Sequence, residues 1–301
     1  MTMLITGATG SIGSLLLQQL TDARTSSARP AEGLTIRALT RDPSKARLPQ
    51  GVVPVAGDML NVSAMREALQ GVKTLFLLNS VATDEFTQAA LTLNLAHEAG
   101  VTRIVYFSVF NGQRFSNVPH FAAKASIERL IADLGLQATI LRPNCFMQND
   151  AAYFQQVLLG PGLYPFPIGD QGVSMVDTRD IAEVAAKALL QRHQSADLLP
   201  TEVIPLVGPD ALTGAGIAAI WSSLMGKTIT YTGPHTTTFE ANLAQHLPSW
   251  MAMDMRLMLD RFCHDGMAAS ADDLARMTHW LGRAPRSYAA FAAETLAQWQ
   301  A

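Results

Sequence analysis

The stretch Met3-Leu4-Ile5-Thr6-Gly7-Ala8-Thr9-Gly10-Ser11-Ile12-Gly13 decides the fold. A short apolar run gives way to three glycines spaced three apart, and a helical stretch, Ile12–Leu20, follows at once. Each glycine has its own physical task. Gly7 lets the chain turn sharply. The missing side chain at Gly10 lets an anion approach the backbone, and Gly13 lets the helix pack close to the strand. The free N–H groups and the dipole at the helix start then favour negative charge. The turn therefore reads as the seat of a dinucleotide pyrophosphate, lined by Thr6, Gly7, Thr9, Gly10, Ser11, Ile12 and Gly13. The alternative is a glycine-rich turn with no ligand.

Working outward, short apolar runs recur at Thr35–Leu39, Val52–Ala56, Thr74–Leu78, Ile104–Phe107 and Ala138–Leu141. They do not alternate with polar residues, which is the pattern of parallel strands covered on both faces. Helical stretches lie between them: Ser63–Leu69, Glu85–Ala99 and Phe121–Leu134, the last two ending at Gly100 and Gly135. Strand–helix alternation of this kind predicts right-handed βαβ units and an α/β, doubly wound parallel sheet of the Rossmann type. Arg24–Gly33 reads as a surface loop. After Pro143 turn signals multiply. Thr178–Gln191 predicts a helix and Glu202–Leu206 a strand that extends the sheet. From Gly208 the chain reads as mostly helical, with one short strand at Thr228–Thr232. Residues 1–150 are expected to form the dinucleotide-binding core. Residues 151–301 are expected to form a smaller, mainly helical substrate lobe, with 172–207 returning to the core.

The end of the second strand bears on which dinucleotide is bound. It reads Leu39-Thr40-Arg41-Asp42-Pro43-Ser44-Lys45. An acidic residue there would meet the ribose hydroxyls of NAD, whereas a guanidinium pairs with the 2′-phosphate of NADP. Arg41 stands just past the strand and Lys45 adds a second charge, so NADP(H) is expected. Asp42 would serve NAD in a register shifted by one.

Bulk properties exclude several classes. The 301 residues are 49% hydrophobic and 16% charged, with a formal net charge of -3, so neither disorder nor phosphate-driven nucleic-acid binding is expected. No apolar run approaches the roughly 20 residues of a membrane span, and no secretory signal is seen, so a cytoplasmic protein is expected. Cys145 and Cys263 show no metal-ligand spacing and are expected to be buried free thiols, with no metal bound.

The motifs together resemble the NmrA-like family of atypical short-chain dehydrogenases. The resemblance rests on the glycine turn, Gly57-Asp58-Met59, Asn79-Ser80, Ser108-Val109-Phe110 and His120-Phe121-Ala122-Ala123-Lys124 with Glu128. Leu141-Arg142-Pro143-Asn144, Val176-Asp177-Thr178-Arg179-Asp180 and the late Leu281-Gly282-Arg283-Ala284-Pro285-Arg286 extend it. It is dense to about residue 190 and thin through 210–270. It implies that Asp58 and Met59 contact the adenine, that Asn79 and Ser80 flank the ribose and phosphates, that Ser108 at the end of the fifth strand is a further cofactor contact, and that Pro143 and Asn144 border the nicotinamide. It also implies that Lys124 holds the nicotinamide ribose.

One departure matters. Most short-chain dehydrogenases carry Tyr-x-x-x-Lys, and here His120 occupies the tyrosine place. His120 has three readings: proton donor, wall of the cofactor site, or helix-start residue without chemistry. Lys124, His120 and Asn144 are the catalytic candidates. Loss of the tyrosine suits hydride transfer to a conjugated acceptor such as a quinone or a cationic dye, and argues against alcohol–ketone interconversion. The expected protein is an NADPH-dependent reductase of a small, planar acceptor. The alternative is a sensor that binds NADP(H) with little turnover. Monomer and homodimer both remain open. Phe110, Phe146, Met147 and Tyr153 are candidates for an apolar wall. Met251, Met255, Met258, Leu259 and Phe262 form a stripe that is either core or lid. Trp221, Trp250, Trp280 and Trp299 are too scattered to predict a stacking cage.

Overall fold

The computed structural model describes residues 2–26 and 34–300. Its first part runs β1 (Thr2–Ile5), α1 (Ser11–Ser26), β2 (Thr35–Thr40), β3 (Val52–Ala56), α2 (Val62–Leu69) and β4 (Val72–Leu77). It continues α3 (Glu85–Glu98), β5 (Arg103–Phe107), α4 (Pro119–Asp133) and β6 (Ala138–Pro143). The remainder runs α5 (Gln148–Tyr153), α6 (Gln155–Leu159), β7 (Leu163–Tyr164), α7 (Thr178–Gln194), β8 (Glu202–Leu206) and α8 (Gly214–Met225). Then follow β9 (Thr230–Tyr231), α9 (Thr236–Leu243), α10 (Ser249–Asp265), α11 (Ala271–Leu281) and α12 (Tyr288–Gln300).

Two compact units share these elements. The first comprises residues 1–109, 123–142 and 181–204, and the second comprises 110–122, 143–180 and 205–301. The first holds most of a seven-stranded sheet in the order β3-β2-β1-β4-β5-β6-β8. β1 pairs in parallel with both β2 and β4, so the strand order reverses between β1 and β4. In such sheets the crevice beyond the strand ends at this reversal is the ligand site. The glycine turn after β1 and Asn79 after β4 both stand there.

The strands are apolar because helices cover them. Leu4, Leu75, Leu77, Ile104, Tyr106 and Ala138 pack with Met65, Leu69, Leu93, Ile127 and Ile131 from α2, α3 and α4 in one buried cluster. Burial on this scale is the main driving force for the sheet. β3 departs from the expected pattern: Val53 is exposed because this strand is the sheet's edge, where Pro54 is tolerated. The loop expected at Arg24–Gly33 also starts late, since α1 continues through Ser26; residues 27–33 lie outside those described.

In the second unit, α10 buries Leu259 and Phe262 of the methionine-rich stripe, while Met251, Met255 and Met258 are half-buried. Trp221 and Trp299, scattered in sequence, stack with ring centroids 5.2 Å apart. Asp180 accepts from Arg283, from Arg286 and from the Arg286 backbone N–H, and Asp177 pairs with Arg179 at 2.6 Å. The late arginines of the family-like segment thus tie distant parts of the chain together.

Asp150 is a buried carboxyl of this unit. It accepts from the Tyr164 hydroxyl at 2.9 Å and from the Tyr288 hydroxyl at 2.5 Å, while its Oδ1 has no partner among the described residues. Burial pushes its pKa up to about 7, against the opposing effect of the two tyrosine hydrogen bonds. The folded state therefore holds this proton more tightly than the unfolded chain. That contribution to stability is complete below the unfolded value of 3.8 and is lost as pH rises through about 7. Asp150→Asn does not titrate. Its stability relative to the parent should improve by a few kcal/mol between about pH 4 and pH 8, since each tenfold difference in proton affinity is worth about 1.4 kcal/mol. Urea unfolding of both proteins across that range checks this, and a constant difference would reject it.

Candidate functional site

The glycine turn has the geometry its sequence anticipates. Gly7 has φ +61°, and a side chain there would also press on Leu78. A Cβ at Gly13 would stand 2.1 Å from the Gly7 carbonyl oxygen, so helix and turn touch backbone to backbone. A Cβ at Gly10 would meet nothing closer than 3.4 Å. Gly10 thus has no close protein contact on the side where a side chain would stand. Gly7, Thr9, Gly10 and Ser11 are exposed, whereas Ile12 and Gly13 are buried. The first N–H groups of α1 have no partner within the helix, as at any helix start. Thr6 differs: its hydroxyl donates to the Leu78 carbonyl at 2.7 Å and accepts from the Leu78 N–H at 2.8 Å. It ties the end of β1 to the end of β4.

Beyond β2, Arg41 is exposed. Asp42 is engaged by its own turn, accepting from the Ser44 N–H and hydroxyl and pairing with Lys45 at 2.9 Å. The Ser44 and Lys45 contacts hold its carboxyl below the usual range. Lys45 is largely exposed, and a pair in water of this kind is weak. Asp58 is exposed and accepts from the Leu60 N–H, shaping the corner after β3, while Met59 is half-buried against the core.

At the end of β4, Asn79 is buried and donates to the Glu85 carbonyl at 2.8 Å. Its Oδ1 is buried without a partner among the described residues, an orphan acceptor that a bound group would satisfy. Ser80 is exposed. Next to Asn79 the chain enters α3, and Glu85 in its first turn forms a buried ion pair with Lys124, 2.7 Å apart. Ser108, at the end of β5, donates to Glu128 at 2.5 Å, and Arg142 donates twice to the same carboxylate, at 3.0 and 2.5 Å. The buried phenol of Tyr106 has its pKa raised, first by burial and then by Glu85 and Glu128, so it stays protonated. Glu85 was invisible as a partner in the sequence, where it marked only a helix start.

The residue set fits a dinucleotide. The turn leaves Gly10 open, a helix opens behind it, Asn79 offers an orphan acceptor, and Lys124 is held by the side chain of the residue whose carbonyl Asn79 contacts.

In the second unit, Asn144 is buried and both ends of its amide are engaged. Nδ2 donates to the Met267 carbonyl at 2.7 Å, and Oδ1 accepts from the Cys145 N–H at 2.8 Å. Pro143 is buried. His120, in the first turn of α4, is paired through Nδ1 with Asp254 Oδ2, and its backbone N–H donates to Asp254 Oδ1 at 3.1 Å. The sequence signal for Asp254 was a charge set into the methionine stripe of α10, three residues after Met251 and four before Met258. Of the expected apolar wall, Met147 and Phe110 are buried, Phe146 is half-buried and Tyr153 is 74% exposed, so Tyr153 lines no apolar surface within this unit. Both thiols are free but half-buried rather than buried. Burial pushes the Cys145 pKa up to about 12 and that of Cys263 up to about 11, so neither is an activated nucleophile. Among the described residues no cluster suits a metal ion, and no helix is long and apolar enough to cross a membrane.

The chain is 29% identical over 294 residues to an NAD(P)H azoreductase of Xenophilus azovorans, covering 96% of each. An Escherichia coli NADPH-dependent quinone oxidoreductase, solved with NADPH, superposes with a TM-score of 0.84 at 26% identity, covering 98% of this chain and 99% of that one. A Citrobacter triphenylmethane reductase shares the fold, with a TM-score of 0.81 at 21% identity, over 97% of this chain and 100% of the other. The model of the NmrA-like family matches residues 1–270, and the chain belongs to that family.

Proposed function

We propose that the chain is an NADPH-dependent reductase that transfers hydride to a small conjugated acceptor, a quinone or quinone-like compound. The observation that carries this reading is the glycine turn at the strand-order reversal, with Arg41 exposed past β2 and Asp42 drawn into its own turn. An Asp42 bound up in this way is poorly placed to take ribose hydroxyls, while Arg41 is free to meet a 2′-phosphate. The reductase relatives support the same direction.

NADPH, when bound, supplies the hydride. The protein's part is placement. Gly7, Thr9, Gly10, Ser11, Ile12 and Gly13 seat the phosphates at the start of α1. Asp58 and Met59 border the adenine, and Ser80 and Ser108 flank the middle of the cofactor. Asn79 Oδ1 accepts from a ribose hydroxyl. Lys124, paired in its buried site with Glu85, donates to the nicotinamide ribose. Pro143 and Asn144 border the ring, with Asn144 acting through a backbone it stiffens. A reduced quinone anion is stable in itself, so such acceptors need little help with a proton. A cytoplasmic setting, with a monomer or homodimer, goes with this reading.

The test follows nicotinamide absorbance with a panel of quinones. Multiple turnovers, slowed at least tenfold by Lys124→Ala, are expected; tight NADPH binding without turnover on any acceptor would overturn the reading. Arg41→Ala should weaken NADPH binding by roughly 10- to 100-fold, as fits loss of about 1.5–3 kcal/mol of charge-assisted hydrogen bonding, and leave NADH binding unchanged. Calorimetry with both cofactors reads this, and equal losses would reject the phosphate clamp.

A further inference from the structure

We propose that α9 is a latched flap of the second unit, held shut through Arg256 and able to open while the rest of that unit stays folded. This device is independent of the reductase reading.

α9 is eight residues long, and none of its residues is fully buried. A helix this short is not stable alone. Its inward stripe is Thr236, Phe239, Glu240 and Leu243, the one-face spacing of a helix, and each of the four is half-buried. Only Phe239 and Leu243 among them are apolar. The neighbouring α10 differs, since buried Leu259 and Phe262 anchor it. Polar contacts therefore do much of the work of holding α9 to α10, and one guanidinium organises them. Arg256 Nε meets Glu240 of α9 at 2.6 Å, Nη1 meets Asp260 at 2.6 Å, and Nη2 donates to the Met253 sulfur at 3.0 Å. Asp260, fixed in this way, accepts from the Thr236 hydroxyl at 2.6 Å. The tethers at Thr236 and at Glu240 thus both run through Arg256. The charged groups are half-buried, so water and salt reach them.

The chain on either side of α9 can act as a hinge. Gly233 has φ +97°, a backbone state that glycine adopts without strain. Past α9, residues 244–250 are all exposed. Elements with few buried apolar contacts and exposed flanks are the ones that open locally. Opening has a definite consequence. The Phe239 ring lies against Phe166 with centroids 5.9 Å apart, and Phe166 in turn meets Phe154 at 5.8 Å. Lifting α9 withdraws Phe239 and bares the Phe166 ring, leaving its place to another aromatic ring.

Hydrogen exchange on the full-length protein, read by mass spectrometry, tests the flap. In the parent, amides of α9 should exchange on the order of 100-fold faster than those of α10. Arg256→Gln should quicken α9 a further 5- to 30-fold, roughly the worth of two half-exposed ion pairs, and leave α10 unchanged. Salt at about 1 M should quicken α9 in the parent but not in Arg256→Gln. Thr236→Val cuts one tether with Arg256 in place and should act in the same direction, less strongly. Anilinonaphthalene sulfonate, an aromatic probe, should fluoresce several-fold more with Arg256→Gln than with the parent. Three results would each overturn the proposal: α9 amides as slow as those of α10 in the parent, equal quickening of both helices in both variants, or no gain in probe fluorescence. Every readout is taken without cofactor or acceptor, so the reductase reading stands or falls separately.

Discussion

Gly13→Ala should lose NADPH binding by roughly 100-fold and unfold at a lower temperature, although alanine is the better helix former. In an ordinary helix this change stabilises by about 1 kcal/mol. Here the new Cβ would stand 2.1 Å from the Gly7 carbonyl oxygen and 2.7 Å from the Ala8 Cα, and both neighbours are backbone that no rotamer change can move. Overpacking of this kind costs about 1–3 kcal/mol, so the net sign is destabilising. The start of α1 must shift away from the turn, and its N–H groups no longer converge on the phosphates. Gly10→Ala is the contrast. Its Cβ meets nothing closer than 3.4 Å, so folding should be intact while the methyl stands where the pyrophosphate would approach. Thermal melts with calorimetry separate the two: Gly13→Ala loses stability and binding, Gly10→Ala binding alone. Full NADPH affinity in either variant would remove the glycine turn from the cofactor site.

Lys124→Met should destabilise the protein by about 3–5 kcal/mol, more than most single substitutions, because it strands the Glu85 carboxylate in a buried site. The two side chains are 8% and 5% exposed and 2.7 Å apart, so water cannot replace the lost partner. The double variant Glu85→Gln/Lys124→Met removes the stranded charge and should recover most of that stability. It should not recover turnover, since the proposed ribose contact is still gone. Urea unfolding of the two single variants and the double variant closes the cycle. Additive losses would show that the pair is not coupled. Recovery of turnover in the double variant would remove Lys124 from the chemistry.

These effects differ in how far the sequence announced them. The glycine spacing announced the turn, because a positive φ and a close backbone approach are local demands that only glycine meets. The unbroken apolar runs announced parallel strands, because a strand covered on both faces has no polar side to show. Exceptions arose at a boundary. β3 carries Val53 into water because edge position depends on the order of strands, which no single strand encodes. Arg41 was legible as a cation past β2. That Asp42 folds back on Ser44 and Lys45 was not, although the answer lay within three residues.

The pairing of buried charges was the least legible layer. Lys124 and His120 stood out by their spacing on one helix, but nothing local said that Glu85 from α3 meets the one and Asp254 from α10 the other. Asp254 lies 134 residues beyond His120, in the stretch where family-like motifs thin out. Asp150 reached Tyr164 and Tyr288 in the same long-range way.

The sequence by itself determined the glycine turn after the first strand, the alternation that builds the sheet and the absence of the usual tyrosine. All three are properties of neighbouring residues, set by backbone sterics and side-chain periodicity. Only the tertiary structure decided which carboxylate each buried cation meets. A charge removed from water takes whatever partner the packing brings within about 3 Å, and packing joins residues without regard to their distance along the chain.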